Sequence, residues 1–378
     1  NHDEVNILAC WIAKRAGVKR VISRARGLEF TDSPTWAKDL GIDVMHSPER
    51  SVAREILELL SVSSAVHTGE LMDGRWGVYA FRVARDSKLV GVALRDLKTL
   101  YPNYVAIIVY IEREGRGYVP HGDMTIESGD LCYIVTSRED AWRLEEVYQG
   151  HRSRPLRKVI IVGGGKIGFQ VARQLEERYP SLDVRLIDHD EEKCERIAGE
   201  LKRTLVLKGD GADDGLLRQE GIEEADGFVC ATESDEANLL FAVIGKALGA
   251  RKTVAVARRK LYAKLDSYMS VDSIVNPNSA LASLILRHAR YPGGSGVLSI
   301  IDKIDAEMFE AVLPEDSPAV GRPIMDLGLP KGIIVALAER RGHVFVPVGS
   351  SILMPGDRVI VFATADMMDD AVRYLGVN

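Results

Sequence analysis

Blocks of apolar and polar residues along this chain predict strands and helices in turn. Four consecutive apolar residues, Val159–Val162, are β-branched and predict a strand buried on both faces. A run of glycines follows, and after it apolar residues recur at helical spacing. A second strand pattern covers Leu182–Asp190, and further strand patterns end near Gly209 and Ala231. This order of elements predicts an open parallel sheet with helices packed on it.

The glycine run has a spacing that binds dinucleotides when it joins a strand to a helix. In the pattern G-x-G-x-x-G, Gly163 permits a tight turn, Gly165 lets backbone amides approach a pyrophosphate, and Gly168 lets the helix pack on the strand. Asp188 lies 20 residues after Gly168, where a carboxylate binds the ribose and repels a 2′-phosphate. The pattern predicts a Rossmann-type lobe that prefers NAD to NADP. The alternative is a lobe that keeps its glycines only for packing.

The pattern of residues 3–30 returns at residues 235–262. With an offset of 232 positions, nine of the 28 aligned residues are identical, and most of the others are similar in type. Each copy predicts a helix, a glycine at its C-terminus, a β-branched strand and an arginine at the strand's end. Self-similarity over this length indicates a duplicated architecture.

The repeat continues into a small α+β domain of about 80 residues after each lobe. The stretch Val119–Val135 matches Val346–Phe362, where a short insertion or deletion reduces the offset to 227. The sequence therefore predicts the α/β class, with Rossmann-type parallel-sheet lobes, each followed by a small α+β domain, in tandem duplicate. The predicted boundaries are 1–65 for a partial first lobe, 66–150 for the first small domain, 151–291 for a complete second lobe and 292–378 for the second small domain.

The first lobe lacks a counterpart of the opening strand, the glycine loop and the acidic strand, because residue 1 aligns with Glu233. Half a Rossmann-type sheet would leave an open edge and an apolar face. Two explanations stay open: an N-terminus that is trimmed or unseen, or a half-lobe whose apolar face a partner covers.

Further candidate residues follow the strands of the second lobe, at the edge where open α/β sheets bind ligands. Asp210 lies in the turn Gly209–Gly211 and is a candidate to border an adenine, or else to cap a helix. Thr232 and Glu233 follow the next strand. They are candidates for contact with the cofactor, and the other explanation is that Thr232 or Ser234 caps the next helix.

Arginines end the following strand in both copies. Arg258 aligns with Arg26, and the first copy adds Arg24 where the second has Val256. A guanidinium at this edge can bind a phosphate with two hydrogen bonds. The alternative for each of them is an ion pair at the surface.

Composition and motif spacing exclude several classes of function. The net charge of −6 argues against binding to nucleic acid. No apolar run approaches the roughly 20 residues that span a bilayer. The cysteines form no CxxC pair and are expected to be reduced, and the histidines show no metal-binding spacing. We therefore predict no metal site. We also predict no catalytic residue, because an oxidoreductase needs an acid–base group beside its cofactor and the sequence indicates none.

Taken together, these motifs resemble the TrkA-type regulators of potassium uptake, which carry RCK (regulator of potassium conductance) domains. The resemblance covers essentially the whole chain. It rests on Gly163–Gly168, Asp188, Thr232, Asp235, Glu236, Asn238, Leu239 and Arg258, and on the paired small-domain signatures Val90–Gly91 with Val320–Gly321 and Gly129–Asp130 with Gly356–Asp357.

The resemblance implies a cytoplasmic subunit, peripheral at the inner face of the cell membrane, that binds NAD or NADH, or ATP or ADP. It implies a ring, built as a dimer or tetramer of tandem chains, that gates a TrkH-like, potassium-translocating membrane subunit. Carried over by position, the phosphates would be bound by Gly163, Gly164, Gly165, Lys166 and Ile167, and the ribose would be bound by Asp188. Thr232, Glu233 and Arg258 would complete this site in the second lobe. Arg24 and Arg26 would belong to the corresponding site in the first lobe.

The mechanism that we expect is a change of lobe arrangement on nucleotide binding, transmitted through the hinge Tyr291–Gly296 to the membrane partner. The main alternative is an NAD-dependent oxidoreductase, which would turn over a small substrate. A third possibility is a structural scaffold that binds no nucleotide.

Overall fold

The computed structural model describes residues 3–25, 27, 34–150, 154–259, 261–262, 269–279, 282, 297–301, 304 and 306–377. The chain divides into two compact units. The first combines Asn1–Leu57 with Arg157–His288, and the second combines Glu58–Leu156 with Ala289–Asn378. The four domain boundaries given above stay a prediction, as does the hinge Tyr291–Gly296, which lies outside the described residues.

The start of the first unit contains a parallel pair of strands, β1 (Ile22–Arg24) and β2 (Val44–His46). Its helices are Asp3–Arg15, Pro34–Asp39 and Pro48–Ser61, and the last of these runs on into the second unit. The last helix has a Ser-Pro start: the Ser47 hydroxyl accepts a hydrogen bond from the amide of Arg50, and Pro48 is the first helical residue.

The first small domain is an antiparallel sheet. Its strands are β3 (Ala65–Leu71), β4 (Trp76–Arg82), β5 (Ala106–Arg113), β6 (Arg116–Tyr118) and β7 (Leu131–Ser137), in the order β3-β4-β7-β5-β6. A short helix, Leu97–Leu100, precedes β5, and the helix Arg138–Gln149 ends the domain. Ser137 caps that last helix by accepting from the amide of Asp140, and Gly150 ends it with a φ of 73°.

The second lobe is a six-stranded parallel sheet in the order β10-β9-β8-β11-β12-β13. Its strands are β8 (Lys158–Val162), β9 (Asp183–Asp188), β10 (Leu205–Lys208), β11 (Gly227–Cys230), β12 (Thr253–Val256) and β13 (Ser273–Val275). Its helices of eight residues or more, among those described, are Lys166–Arg178, Glu191–Glu200 and Asp235–Ala247, and a shorter one is Asp214–Gln219. Numbered from β8, the strand order is 3-2-1-4-5-6, which is the Rossmann order, so the predicted α/β fold is confirmed.

The second small domain repeats the first strand for strand. Its strands are β14 (Val297–Ile301), β15 (Ala306–Val312), β16 (Ile333–Arg340), β17 (His343–Phe345) and β18 (Arg358–Thr364), and the helix Met368–Leu375 follows. The connection from Leu327 to Ile333 is three residues shorter than its counterpart from Leu97 to Ala106. The first copy uses the extra residues for its short helix. This difference accounts for three of the five positions by which the offset falls, from 232 to 227.

The two small domains share one hydrophobic core. The buried side chains of Val109 and Tyr133 in the first sheet belong to the same cluster as Met308 and Phe362 in the second. The rings of Tyr110 and Phe362 lie 6.0 Å apart. Because each sheet buries one apolar face against the other, the pair forms a single folding core.

The lobe repeat extends to individual hydrogen bonds. Lys14 bonds to Asp43 at 2.8 Å, and its counterpart Lys246 bonds to Asp272 at 2.7 Å. Four further hydrogen bonds of the first lobe have a counterpart in the second: Lys14–Lys19 with Lys246–Arg251, Val21–Asp43 with Thr253–Asp272, Asp3–Gly27 with Asp235–Arg259, and Asn6–Arg24 with Asn238–Val256. The duplication therefore preserves the contacts that join each helix to its strands.

Candidate nucleotide site

The glycine loop lies where the strand order of the large sheet reverses, between the carboxyl ends of β8 and β11. Gly163 has a φ of +105°, and its amide donates to the carbonyl of Ile187 at 2.8 Å. A Cβ at Gly163 would lie 2.8 Å from the carbonyl of Ala231 and from the amide nitrogen of Thr232. Only glycine fits here, for reasons of both backbone angle and space. Open α/β sheets bind their ligands at this kind of crevice.

The other two glycines of the motif have opposite surroundings. A Cβ at Gly168 would lie 1.9 Å from the carbonyl oxygen of Gly163, so the helix packs directly on the loop. A Cβ at Gly165 would meet nothing nearer than 3.9 Å, which leaves open space above this residue. Gly165 is also the N-cap of the helix Lys166–Arg178 and provides no side-chain cap. The first amides of the helix are therefore available to an anion.

The next two residues of the loop differ in what they can offer a ligand. Lys166 is exposed, whereas the side chain of Ile167 is buried in the lobe. Ile167 can therefore contact a phosphate only through its backbone. The amide of Gly164 already donates to Asp188, at 2.6 Å to Oδ2.

Asp188 ends β9 and is 5% exposed. Its Oδ1 accepts from the amide of Asp190 at 3.0 Å, and Lys193 Nζ lies 3.2 Å from Oδ2. Burial alone would raise the pKa of this carboxyl, but the hydrogen bonds from Asp190, Gly164 and Lys193 outweigh it and hold the pKa below its usual value. The group is therefore a carboxylate at neutral pH, and it ties the glycine loop to the acidic strand.

A buried asparagine that the sequence did not mark as a site residue positions the loop after β11. Asn238 Oδ1 accepts from the amide of Thr232 at 2.8 Å, and Nδ2 donates to the carbonyl of Val256 at 2.8 Å. Ser234, rather than Thr232, caps the following helix through the amide of Ala237. The signal for Asn238 was its identity with Asn6 in the repeat.

Asp210 is exposed and accepts from the amide of Ala212 at 2.9 Å, so it closes its own turn. Asp213, rather than Asp210, caps the next helix by accepting from the amide of Leu216. A Cβ at Gly211 would lie 2.3 Å from Val162, which places this turn against the end of β8. The turn therefore lies beside the glycine loop, and contact between Asp210 and an adenine stays a prediction.

Arg258 forms the ion pair that was the alternative explanation for it. Its guanidinium lies 3.1 Å from Asp235 Oδ1 and donates to the carbonyl of Glu233 at 3.1 Å. The same Asp235 accepts from the amides of Arg258 and Arg259. The side chain of Glu233 is exposed. Phosphate binding by Arg258 and cofactor contact by Glu233 stay predictions.

Of the two first-copy arginines, the structure describes Arg24, which lies in a different sheet. Arg24 ends β1 in the two-stranded sheet, and its carbonyl accepts from Asn6 at 3.1 Å. Arg26 lies outside the described residues. The structure therefore brings together the glycine loop, Asp188, the Asp210 turn and Thr232, while Arg24 belongs to the first lobe.

The assembled site offers helix-terminal amides and a carboxylate, but little for acid–base chemistry. Its buried carboxyl, Asp188, has a lowered pKa, whereas a general base works best with a pKa near the operating pH. His189 is the neighbouring titratable group and is 85% exposed. Among the described residues, no group of three potential metal ligands comes together.

The fold and the site define a class of proteins in which Rossmann-type nucleotide-binding lobes alternate with small antiparallel domains. The TrkA-N domain family matches residues 159–277, and the TrkA-C domain family matches residues 78–148 and 308–376. The Trk system potassium uptake protein TrkA homolog 1 of Methanosarcina mazei is 33% identical over 98% of this chain and 84% of its own length. The TrkA protein of Azorhizobium caulinodans is 33% identical over 97% and 80%. The chain therefore belongs to the TrkA family of potassium uptake proteins.

Solved structures agree with this fold. The RCK domain of GsuK aligns with a TM-score of 0.57 over 100% of this chain and 80% of that one, at 17% identity. The GsuK channel bound to NAD aligns with a TM-score of 0.57 over 100% of this chain and 66% of that one, also at 17% identity. At this identity the likeness concerns the fold alone.

Proposed function

We propose that this chain is a cytoplasmic regulatory subunit that binds a nucleotide in its second lobe and gates a membrane potassium-uptake system. The observation that carries the proposal is the glycine loop. It combines an uncapped helix N-terminus, open space above Gly165 and a charged Asp188 hydrogen-bonded to Gly164. Membership of the TrkA family supports the link to potassium uptake.

NAD or NADH is the proposed cofactor, with ATP or ADP as further ligands of the same lobe. The backbone amides of Gly165, Lys166 and Ile167 would hold the phosphates. Gly163 and Gly164, whose amides donate to Ile187 and Asp188, would shape the loop around them, and Gly168 would keep the helix close. Asp188 would bind the ribose, and its charge disfavours the 2′-phosphate of NADP. The GsuK channel, which shares this fold, has been solved bound to NAD, and this supports NAD as the ligand of the second lobe. Thr232, Glu233 and Arg258 would complete the site, while Arg24 and Arg26 would serve the first lobe.

The proposed partner is a TrkH-like, potassium-translocating membrane subunit, with this chain peripheral at the inner face of the membrane. Among the described residues, no helix is long and apolar enough to cross a bilayer. A ring of tandem chains is supported by an apolar stripe, since Val5, Leu8 and Ile12 on one helix are each more than half exposed. Leu240, the counterpart of Leu8, is equally exposed. The stripe would be covered on assembly.

Gating would follow from differential binding. A nucleotide that binds one arrangement of the lobes more tightly shifts the equilibrium toward it, by no more than the difference in affinity. No residue of this chain needs a catalytic role, because a sensor needs only a difference in nucleotide affinity between two lobe arrangements. Membership of the TrkA family supports this over an NAD-dependent oxidoreductase.

Calorimetry with NAD, NADH, ATP and ADP tests the nucleotide site directly. We expect saturable binding by the full chain, weakened at least tenfold in Asp188→Ala and unchanged in Asp316→Ala, a matched loss of an exposed carboxylate in the second small domain. Absence of binding by all four nucleotides would instead support a structural scaffold.

Potassium flux through the complex reconstituted with its membrane subunit tests gating. We expect NADH and ATP to change the flux in opposite or unequal ways, and Asp188→Ala to abolish the difference. Turnover of a small substrate with a change in nicotinamide absorbance would support the oxidoreductase. Unaltered flux with every nucleotide would disprove the regulatory role.

A further inference from the structure

The carboxylate of Asp188 is already occupied by donors of its own chain. The amide of Gly164 donates to Oδ2 at 2.6 Å, and the amide of Asp190 donates to Oδ1 at 3.0 Å. The ammonium of Lys193 bridges the two oxygens, at 3.2 Å from Oδ2 and 3.4 Å from Oδ1. A carboxylate offers about four lone-pair sites for hydrogen bonds. The two amides and the bridging ammonium therefore use all of them.

The carboxylate of Asp188 is also covered. Its side chain is 4% exposed, whereas the side chain of Lys193 is 26% exposed. His189 is a further neighbour, but its Nδ1 lies 3.5 Å from Oδ1, which is longer than an ordinary hydrogen bond. A ribose can therefore reach the carboxylate only if one of the present donors moves away.

Of the three donors, Lys193 can move without any change of the backbone. The amides of Gly164 and Asp190 belong to the glycine loop and to the N-cap of the helix Glu191–Glu200. The carboxylate of Asp190 accepts from the amide of Lys193 at 3.0 Å, so the backbone of Lys193 is held as well. The four-carbon stem of a lysine is flexible. Rotation about its side-chain bonds withdraws the ammonium and frees two lone pairs of Asp188.

The place of Lys193 in its helix is unfavourable for a cation. It lies in the first turn, where the positive end of the helix dipole favours anions, and it follows Glu191 and Glu192. The carboxylate of Glu191 pairs with Lys208 at 2.6 Å. The ammonium of Lys193 is therefore held in place by Asp188 and not by the field of its own helix.

We propose that Lys193 is an internal competitor of the nucleotide, because its ammonium occupies the two lone pairs of Asp188 that a ribose diol would use. The inference rests on the proposed function, since it takes the ribose to bind Asp188. The 2′- and 3′-hydroxyls donate two hydrogen bonds, the same number that Lys193 donates. The ion pair and the bound ribose then exclude each other, and the affinity is lowered by the fraction of molecules in which the pair is closed.

Competition by Lys193 makes the site selective for an intact ribose. A ligand with both hydroxyls replaces both of the hydrogen bonds that it breaks at Asp188, whereas a ligand without them does not. Competition also gives the opposite expectation to charge attraction. If Lys193 attracted the phosphates, its removal would weaken every nucleotide. If it competes with the ribose, its removal strengthens the ligands that carry the diol and leaves the others unchanged.

Titration calorimetry of the full chain with NAD, ADP and 2′,3′-dideoxy-ADP tests the competition. Lys193→Met keeps the apolar stem of the side chain and removes its N–H donors. We expect this variant to bind NAD and ADP about five- to tenfold more tightly than the wild type, because no ion pair has to be broken. Dideoxy-ADP, which has no ribose hydroxyl, should bind both proteins equally. Lys208→Met is the control, because it removes a paired cation of the same lobe and should not strengthen NAD binding.

A second variant separates competition from a change in packing. Lys193→Arg keeps a cation that can donate two parallel hydrogen bonds to a carboxylate, so we expect it to bind NAD no more tightly than the wild type. Circular dichroism of each variant checks that the fold is retained.

The outcomes distinguish this inference from the proposed function. Equal or weaker NAD binding by Lys193→Met, an equal gain in Lys193→Arg, or an equal gain for dideoxy-ADP would overturn the competition by Lys193 and leave the nucleotide site in place. Absence of NAD and ADP binding by both the wild type and Lys193→Met would overturn the proposed function, and this inference with it.

Discussion

The carboxylate of Asp188 accepts a hydrogen bond of 2.6 Å from the backbone amide of Gly164. The residue expected to bind a ribose thus also fixes the loop expected to bind the phosphates. Any change at Asp188 acts on both parts of the site. Its effects must therefore be separated by measuring stability and ligand preference independently.

The first prediction concerns acid stability. The pKa of Asp188 is lowered in the folded state from its usual 3.8, so its contribution is fully present above that value and is lost as the pH falls through the folded pKa. We expect the urea midpoint of Asp188→Asn to fall less steeply than that of the wild type below about pH 4. Asp316→Asn should follow the wild type. Parallel decline of wild type and Asp188→Asn would contradict the lowered pKa.

The second prediction concerns cofactor preference. Asp188→Asn removes the charge that repels a 2′-phosphate while keeping an oxygen that can accept from Gly164. We expect the ratio of NADP to NAD affinity to rise about tenfold or more, measured by competition calorimetry. Lys193→Gln, which removes the cation 3.2 Å from the same carboxylate, should move the ratio the other way. An unchanged ratio in both variants would place the ribose elsewhere.

The third prediction concerns the glycine that packs the helix on the loop. Gly168→Ala places a methyl group 1.9 Å from the carbonyl of Gly163, so the helix must move away. We expect a loss of roughly 1–3 kcal/mol in unfolding free energy and loss of NAD binding. Gly199→Ala is the control, because its Cβ would meet nothing within 4 Å in a helix and should stabilise by about 0.5–1 kcal/mol. Equal effects of the two variants would argue against close packing at Gly168.

The fourth prediction concerns the buried amide that positions the loop after β11. Asn238→Ala leaves the amide of Thr232 and the carbonyl of Val256 without their partner, at a cost of about 1–3 kcal/mol. We expect nucleotide affinity to fall with stability. Asn6→Ala removes the equivalent bond to the carbonyl of Arg24 in the first lobe and should lower stability while sparing nucleotide affinity. Loss of affinity in Asn6→Ala instead would show that the first lobe contributes to binding.

The fifth prediction concerns a buried ion pair of the small domains. Arg113 contacts both oxygens of Asp130 at 2.8 Å, and the side chain of Asp130 is fully buried. Arg113→Ala leaves this charge without its partner, and we expect a loss of about 3 kcal/mol in chemical denaturation. Arg116→Ala, on the exposed strand β6, should change stability by less than about 0.5 kcal/mol. The repeated pair Arg340–Asp357 offers the same test in the second domain.

The sequence predicted the second lobe well because its signals are local. The glycine loop, the acidic strand and the helix caps each depend on residues a few positions apart, and the structure forms them where expected. The repeat was found for the same reason, as a comparison of the chain with itself. The helix after β11 shows the limit of such rules, because Thr232 and Ser234 were both candidate caps and only the structure identifies Ser234.

Features that depend on distant residues could not be predicted. The bond from Asn238 to Val256 and the cluster that joins Val109 to Phe362 each link segments whose proximity only the folded chain defines. Arg258 was weighed as a phosphate ligand or a surface ion pair, and only the position of Asp235 shows that the pair forms. A cavity lined by Tyr101 of the first small domain and Phe345 of the second was not predicted, because its wall comes from segments far apart in sequence.

The common core of the two small domains also restricts how the duplicated halves can change over time. Since Val109 and Tyr133 pack in the same cluster as Met308 and Phe362, a larger side chain in one half removes room from the other. Substitutions in the two halves should therefore compensate one another, large against small, across many descendants of the same gene. After the duplication, the side chains of each half therefore determine which substitutions the other half can tolerate.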